Sequence, residues 1–376
     1  SRRVALIAAV SFAVFSAAPS IEGFTANAEI FAQLPIVLSA LFAWREKWVW
    51  AGAMAAGAVL LKPSGLSALL LAVGWVFVTG ASLRGVIRVG AAFGLVLIPS
   101  VLHGAWIGWE HYWESMYTRR AAYADANSIG LRTQLGRFLL GVLDTAPSWA
   151  VPATLSGIAV TAKLDRARGF LLLWLGTSVV GMAMGSFWFR HYFIQAIPPL
   201  AILGAMGLSA LATRRRRWIW VVPIAASIAV FSWDVFLWSR PAAETSLRVY
   251  GRPAYLVADE AADYVAANTV PSDRIFVAFS QAEIYYLSRR KASFPHMYYA
   301  DFVYSERLFQ EALASIREGE PAMVLVVQPP PVERMSMDDF IGILDEGYEL
   351  VRTVQTPVPD ARPILIYRRR ALDGRS

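Results

Sequence analysis

Apolar and polar positions are not spread evenly along this chain. From the start to about residue 240, long apolar runs alternate with short charged clusters. The runs cover about 4–18, 30–44, 48–61, 64–79, 88–107, 146–162, 169–187, 193–212 and 218–238. Each nears the length of apolar helix that crosses a bilayer, about 20 residues, so the pattern predicts about nine spans. The pair flanking Lys62-Pro63 can also be read as one kinked segment, because proline removes a helix donor and disfavours helix in the residue before it. From about Ala242 the pattern changes to that of a water-soluble sequence. Helices are expected over Asp259–Asn268, Gln281–Leu287, Glu306–Arg317 and Asp338–Glu346. Strands are expected over Arg274–Phe279, Ala322–Val327 (stopped by Pro329-Pro330-Pro331), Tyr348–Val354 and Ile364–Tyr367. Strands alternating with helices predict a small covered sheet. The expected fold is therefore a polytopic α-helical membrane bundle over 1–240 followed by a small soluble α/β domain over 241–376.

Composition agrees with the division. Hydrophobic residues make up 56% of the chain and charged residues 17%, where an ordinary soluble domain is about a quarter charged. The net charge of +7 does not point to nucleic acid, because its sources lie between apolar runs. With the N-terminus inside, cytoplasmic loops carry Arg2, Arg3, Arg45, Lys47, Arg84, Arg88, Lys163, Arg166, Arg168 and the run from Arg214 to Arg217. That is the orientation the positive-inside rule selects, and nine spans then put the soluble domain on the outer face. The run Val4–Ala18 reads as a span rather than a signal peptide, since no small-x-small cleavage site followed by soluble sequence succeeds it. The absence of cysteine excludes disulfides, thiol nucleophiles and cysteine-held zinc.

Ionisable groups at membrane depth are costly and are functional candidates. Glu22, Asn27 and Glu29 fall in the first outer loop, 19–29. A carboxylate there can bind a divalent cation or activate a hydroxyl; equally, Asn27 can cap a helix and Glu29 can favour its N-terminal dipole. Lys62 sits alone between two apolar runs, either a phosphate-binding point charge or a snorkelling side chain. Arg190, His191 and Tyr192 open another run, either a phosphate or headgroup clamp or part of an aromatic belt. Arg119 and Arg120 lie in Trp109–Ala126, where aromatics and charges mix as in an interfacial helix, within an expected outer loop over 108–145. Membrane headgroups are the simplest partners for that pair. Phosphate loops, HExxH and GxSxG are absent from the soluble part.

Three stretches carry a resemblance. They are Asn27-Ala28-Glu29 ahead of a helix with Pro35, Gly57-Ala58-x-x-x-Lys62-Pro63-x-Gly65, and Arg190-His191-Tyr192-Phe193-x-Gln195-x-x-Pro198. In their order and spacing the chain resembles bacterial polyprenyl-phosphate-dependent glycosyltransferases of the GT-C class, the superfamily of protein O-mannosyltransferases and lipid A aminoarabinose transferases. The soluble segments Pro271-x-Asp273-Arg274-Ile275 and Tyr285-Tyr286-Leu287-Ser288-x-Arg290 resemble the extracytoplasmic domain of such enzymes.

The resemblance implies a multi-pass protein of the bacterial inner membrane with a periplasmic C-terminal domain. It implies inverting transfer of a sugar from a polyprenyl-phosphate donor to a lipid, glycan or protein acceptor on the outer face. Glu29 and Glu22 would supply acidic chemistry, with a divalent metal as an optional cofactor at Glu29. Lys62, Arg190, His191 and Tyr192 would face the donor phosphate, and Asn27, Arg119 and Arg120 the substrate loops. One departure stands out. The family's principal acid lies in an outer loop well upstream of the Asn-Ala-Glu motif, whereas here 26 residues precede Asn27. The expectations are a C-terminal portion of such an enzyme, or a degenerate relative that lacks the main acid and with it the activity. The rival readings are a transporter or flippase for lipid-linked sugars, and an inactive binding relative.

Overall fold

The computed structural model describes residues 1–118, 130–162, 164–211, 217–278, 281–297, 306–327 and 337–370. Arg119, Arg120, the rest of the expected interfacial helix beyond 118, Phe279 and the Pro329-Pro330-Pro331 stop lie outside the described residues. The chain forms two compact units that divide between Arg240 and Pro241.

The first unit is helical. Its helices are α1 (Arg2–Ser16), α2 (Ala28–Trp44), α3 (Trp48–Leu61), α4 (Leu66–Val78), α5 (Leu83–Ile107), the short α6 (Trp109–Trp113), α7 (Leu131–Val160), α8 (Arg166–Ala183), α9 (Ile197–Leu211) and α10 (Val221–Trp238). Short 3-10 turns, Pro19–Ile21, Pro63–Gly65 and Arg190–Ala196, precede α2, α4 and α9. Asp165 caps α8, its Oδ1 accepting from the Arg168 amide at 2.8 Å.

Nine spans are not supported. Among the described residues, four helical stretches are long and apolar enough to cross a membrane: Leu83–Ile107, Leu131–Val160, Arg190–Leu211 and Trp218–Trp238. Helices α2, α3 and α4 are apolar but shorter. At 1.5 Å per residue, 13 to 17 residues reach only about 20–26 Å, against about 30 Å of hydrocarbon. An apolar run in sequence does not reveal where a proline turn or a charged corner cuts the helix. The expected outer loop over 108–145 is also corrected. Helix α7 starts at Leu131, and residues 109–118 continue as α6 and a π-helical turn. Arg132, Gln134 and Arg137 interrupt the apolar run there without interrupting the backbone.

Two apolar clusters hold this unit. One joins α2, α3, α4, α5, α8 and α9 through Ile36, Ala55, Leu71, Trp75, Val89, Trp174 and Leu203. The other gathers Phe15, Ile21, Met182, Phe193, Ile194 and Ile197 around the 3-10 turns. Close approach is set by small residues. A Cβ on Gly52 would run into the Val89 backbone, and one on Gly207 into that of Leu155. This is the packing expected where lipid supplies no hydrophobic drive between helices.

The second unit comprises α11 (Ala242–Tyr250), α12 (Ala258–Ala267), β1 (Arg274–Ala278), α13 (Glu283–Ser288), β2 (Lys291–Ala292), α14 (Glu306–Arg317), β3 (Met323–Val326), α15 (Met337–Gly347), β4 (Tyr348–Val354) and β5 (Ile364–Arg369). The strands lie in the order β2-β1-β3-β5-β4. β1 runs parallel to β2 and β3, and β5 runs antiparallel to β3 and β4. Alternate residues of the central strands bury on opposite faces. Ile275, Val277, Met323 and Leu325 pack with α12 and α13, while Phe276, Ala278 and Val324 pack with α14 and α15. Helices on both faces explain why these strands read as unbroken apolar runs. Arg290 is absorbed into this framework, its guanidinium donating to the carbonyls of Ala266, Ser288 and Thr269.

Two buried tyrosines couple this unit to pH. Tyr285 Oη accepts from the Val277 amide at 2.8 Å, and Tyr348 Oη donates to the Ile316 and Pro321 carbonyls at 3.0 and 3.2 Å. Burial pushes both phenols up to about 12. The folded state therefore favours their neutral forms. Their contribution to stability is full below the ordinary value of 10.0 and is lost as pH rises toward 12. Alkaline titration is expected to ionise them together with loss of the unit's near-UV circular dichroism; ionisation at the ordinary phenol range with the signal intact would contradict this.

Candidate functional site

The residues that bear chemistry in the first unit come from three separate stretches. After α1 the chain turns through Pro19–Ile21 and places Glu22 in the left-handed region, at φ 56°. Gly23 follows because a Cβ there would collide with the Ser16 and Ala17 backbone. Thr25 Oγ1 donates to the Glu22 carbonyl at 2.7 Å, and Asn27 Nδ2 donates to Thr25 Oγ1. Asn27 holds the N-cap position of α2, but its side chain makes no cap bond. It braces the Glu22 loop instead. Glu29 lies in the first turn of α2 and is only 2% exposed.

The second stretch is the corner between α3 and α4. Lys62 leaves the helix in an extended conformation, and Pro63 can follow because it starts a new turn. The Gly65 amide closes the corner on the Lys62 carbonyl at 2.9 Å. A Cβ on Gly65 would press on Ala58. The third stretch is the 3-10 turn Arg190–Ala196. It is tied down by Gln195, whose Oε1 accepts from Ser67 Oγ at 3.1 Å.

These stretches meet. Lys62 Nζ pairs with Glu29 Oε1 and lies 4.2 Å from the centre of the Tyr192 ring. A hydrogen bond of 2.6 Å joins His191 Nδ1 to Glu22 Oε2, and His191 Nε2 stands 3.8 Å from Glu29 Oε1. His191 thus bridges the two carboxylates, and Lys62 neutralises the more deeply buried one. Glu22, Glu29, Lys62, His191 and Tyr192 form one polar cluster. Arg190 reaches Asp144 on α7 at 3.5 Å. Arg119 and Arg120 fall outside the described residues.

The Glu29 carboxylate carries the Lys62 ammonium, and among the described residues no group of three or more His, Cys, Asp or Glu is placed to hold a metal ion.

Sequence reasoning passed over one member of this region. Asp234, on α10, is fully buried and accepts from the Ser20 amide at 2.8 Å, Ser20 Oγ at 2.6 Å and Ser148 Oγ at 3.1 Å. It anchors the turn that leads into Glu22. The signal was present, since Asp234 is the sole charged residue between Trp218 and Trp238. A lone intramembrane carboxylate is a functional or anchoring group by default. Asp234→Ala is expected to destabilise the first unit by about 1–3 kcal/mol for each buried donor left unmade. Thermal unfolding in detergent checks this, and an unchanged midpoint would contradict the anchoring role.

No family model and no curated protein matches this chain.

Proposed function

We propose that the first unit is the catalytic part of a membrane glycosyltransferase that moves a sugar from a polyprenyl-phosphate donor to an acceptor hydroxyl at the outer face. The observation that carries this reading is the meeting of Glu22, Glu29, Lys62, His191 and Tyr192 at the ends of apolar helices. Transfer of this kind needs two things in one place: a base for the acceptor and positive charge for the phosphate that leaves. In the proposed step the acceptor oxygen attacks the anomeric carbon as the bond from that carbon to the phosphate oxygen breaks. The bonding pair leaves with polyprenyl phosphate. The hydroxyl proton passes to Glu22, directly or through His191. A single displacement inverts the anomeric centre. Lys62 has three donor hydrogens, so pairing with Glu29 leaves others for the phosphate.

A second feature supports a prenyl donor. A cavity of about 290 Å³ is lined by apolar side chains of α2, α8 and α9, among them Val37, Leu41, Trp44, Phe170, Trp174 and Met206. It begins about two helical turns along α2 from Glu29, and its walls suit hydrocarbon. In this reading, which follows the resemblance to the GT-C enzymes, the protein sits in the bacterial inner membrane with its C-terminal unit on the periplasmic side.

One observation favours a rival. Asp234 buries a carboxylate inside an apolar helix, as transporters do. Proteoliposomes holding the purified chain, given a radiolabelled polyprenyl-phosphate sugar and a lipid extract as acceptor, separate the two. Transfer predicts labelled product of inverted configuration together with free polyprenyl phosphate. Labelled donor that crosses the bilayer intact, without release of polyprenyl phosphate, would overturn transfer in favour of transport.

A further inference from the structure

The sheet of the second unit has a switch in strand order. β1 is flanked by parallel strands on both sides, β2 on one and β3 on the other. Helix α13, between β1 and β2, packs on the face of Ile275 and Val277. Helix α14, between β2 and β3, packs on the face of Phe276 and Ala278. The two connections lie on opposite faces, which opens a crevice at the carboxyl ends of β1 and β3. In open α/β sheets that crevice is where ligands bind. Here it is a cleft of about 280 Å³, lined by Arg252, Ala254, Gln281, Val327 and Arg362, among others, with no acidic residue among the described ones that line it. Arg362 belongs to the same edge because β5 runs antiparallel to β3, pairing Leu365 with Val326.

Folding alone does not account for the chemistry of this cleft. Gln281 is 4% exposed, yet among the described residues its Oε1 has no hydrogen-bond partner. Its backbone is held at φ 62°, a left-handed conformation that costs a residue with a side chain and that collects at ligand-binding positions. Arg252 and Arg362 are exposed at the rim. A planar guanidinium matches the geometry of a carboxylate or phosphate. A buried amide oxygen asks for a donor, which a hydroxyl beside the anion supplies. The volume lies at the lower end of ligand pockets, about 300 Å³, which suits one sugar ring rather than a chain.

We propose that this cleft binds a small anionic sugar, its phosphate or carboxylate held by Arg252 and Arg362 and a neighbouring hydroxyl donating to Gln281 Oε1. The site stands whether or not the first unit is a transferase. The test is calorimetric titration of the full chain in lipid nanodiscs with glucose 6-phosphate, glucuronate, glucose and inorganic phosphate. Saturable binding of the two anionic sugars is expected, with glucose and inorganic phosphate each about tenfold weaker or more. Arg362→Ala is expected to weaken the anionic sugars about tenfold, with circular dichroism unchanged. Gln281→Gly relieves the strained backbone and removes the acceptor, so it is expected to raise the unfolding midpoint of this unit while lowering glucose 6-phosphate to the affinity of inorganic phosphate. The proposal is overturned if the wild type binds neither anionic sugar up to about 10 mM, if glucose binds as well, or if Arg362→Ala leaves affinity unchanged.

Discussion

Lys62→Met is expected to destabilise the first unit by about 3–5 kcal/mol and to abolish sugar transfer. The stability loss follows from Glu29. Its carboxylate is 2% exposed and pairs with the Lys62 ammonium. Removing the ammonium strands a buried charge, which is far more costly than removing both members of a pair. Contact with the Tyr192 ring adds about 0.5–2 kcal/mol that is lost with it. The paired change Lys62→Met with Glu29→Gln separates structure from function. It is expected to recover most of the stability, since no unpaired charge remains, and the two single changes will be strongly non-additive. Transfer should not recover, because the positive charge for the leaving phosphate is still missing. Thermal unfolding in detergent, beside the transfer assay, reads both effects. A double variant that regains activity would remove Lys62 from the donor site.

The second large effect is expected at Glu22 and His191. Glu22→Gln keeps the shape and removes the base, and His191→Ala removes its partner at 2.6 Å. Each is expected to lower kcat by about 10²–10⁴-fold, the usual worth of a positioned base. Stability should change little, because both side chains keep some solvent contact, at 15% and 19% exposure. Loss of a group that acts in the transition state lowers kcat without raising KM, whereas loss of Lys62 charge should raise KM for the donor as well. Equal kinetics for wild type and Glu22→Gln would show that Glu22 is not the base.

How much of this was legible in the sequence depended on what each feature costs in isolation. Charges at the ends of apolar runs are conspicuous, so Glu22, Glu29, Lys62 and His191 stand out one by one. Their pairing does not, because Lys62 lies 33 residues from Glu29 and His191 lies 169 from Glu22. No local pattern reports a contact at that separation. Asp234 was lost for the opposite reason: a single acid in a long apolar helix is averaged away by any hydropathy window. Helix boundaries failed where polarity and backbone part company. Helix α7 runs through Arg132, Gln134 and Arg137 and contains Pro147 and Pro152, so neither hydropathy nor proline marks its limits.

In the second unit, Glu306–Arg317 was legible from its amphipathic spacing, and the core strands from their apolar runs. Two elements were not. β2 has only two residues, too few for any periodicity, and α11 (Ala242–Tyr250) lies where the apolar pattern gives way. Without β2 the switch in strand order is invisible, and so is the cleft at its edge.

The measurement that tests the account most directly is binding of polyprenyl phosphate to the full chain in nanodiscs. Wild type should be compared with the stable Lys62→Met, Glu29→Gln double variant. Saturable binding to the wild type, weakened about tenfold or more in the double variant, is the result this account predicts. Equal binding to both proteins would contradict it, because the polar cluster at the ends of the helices would then have no part in holding the lipid phosphate.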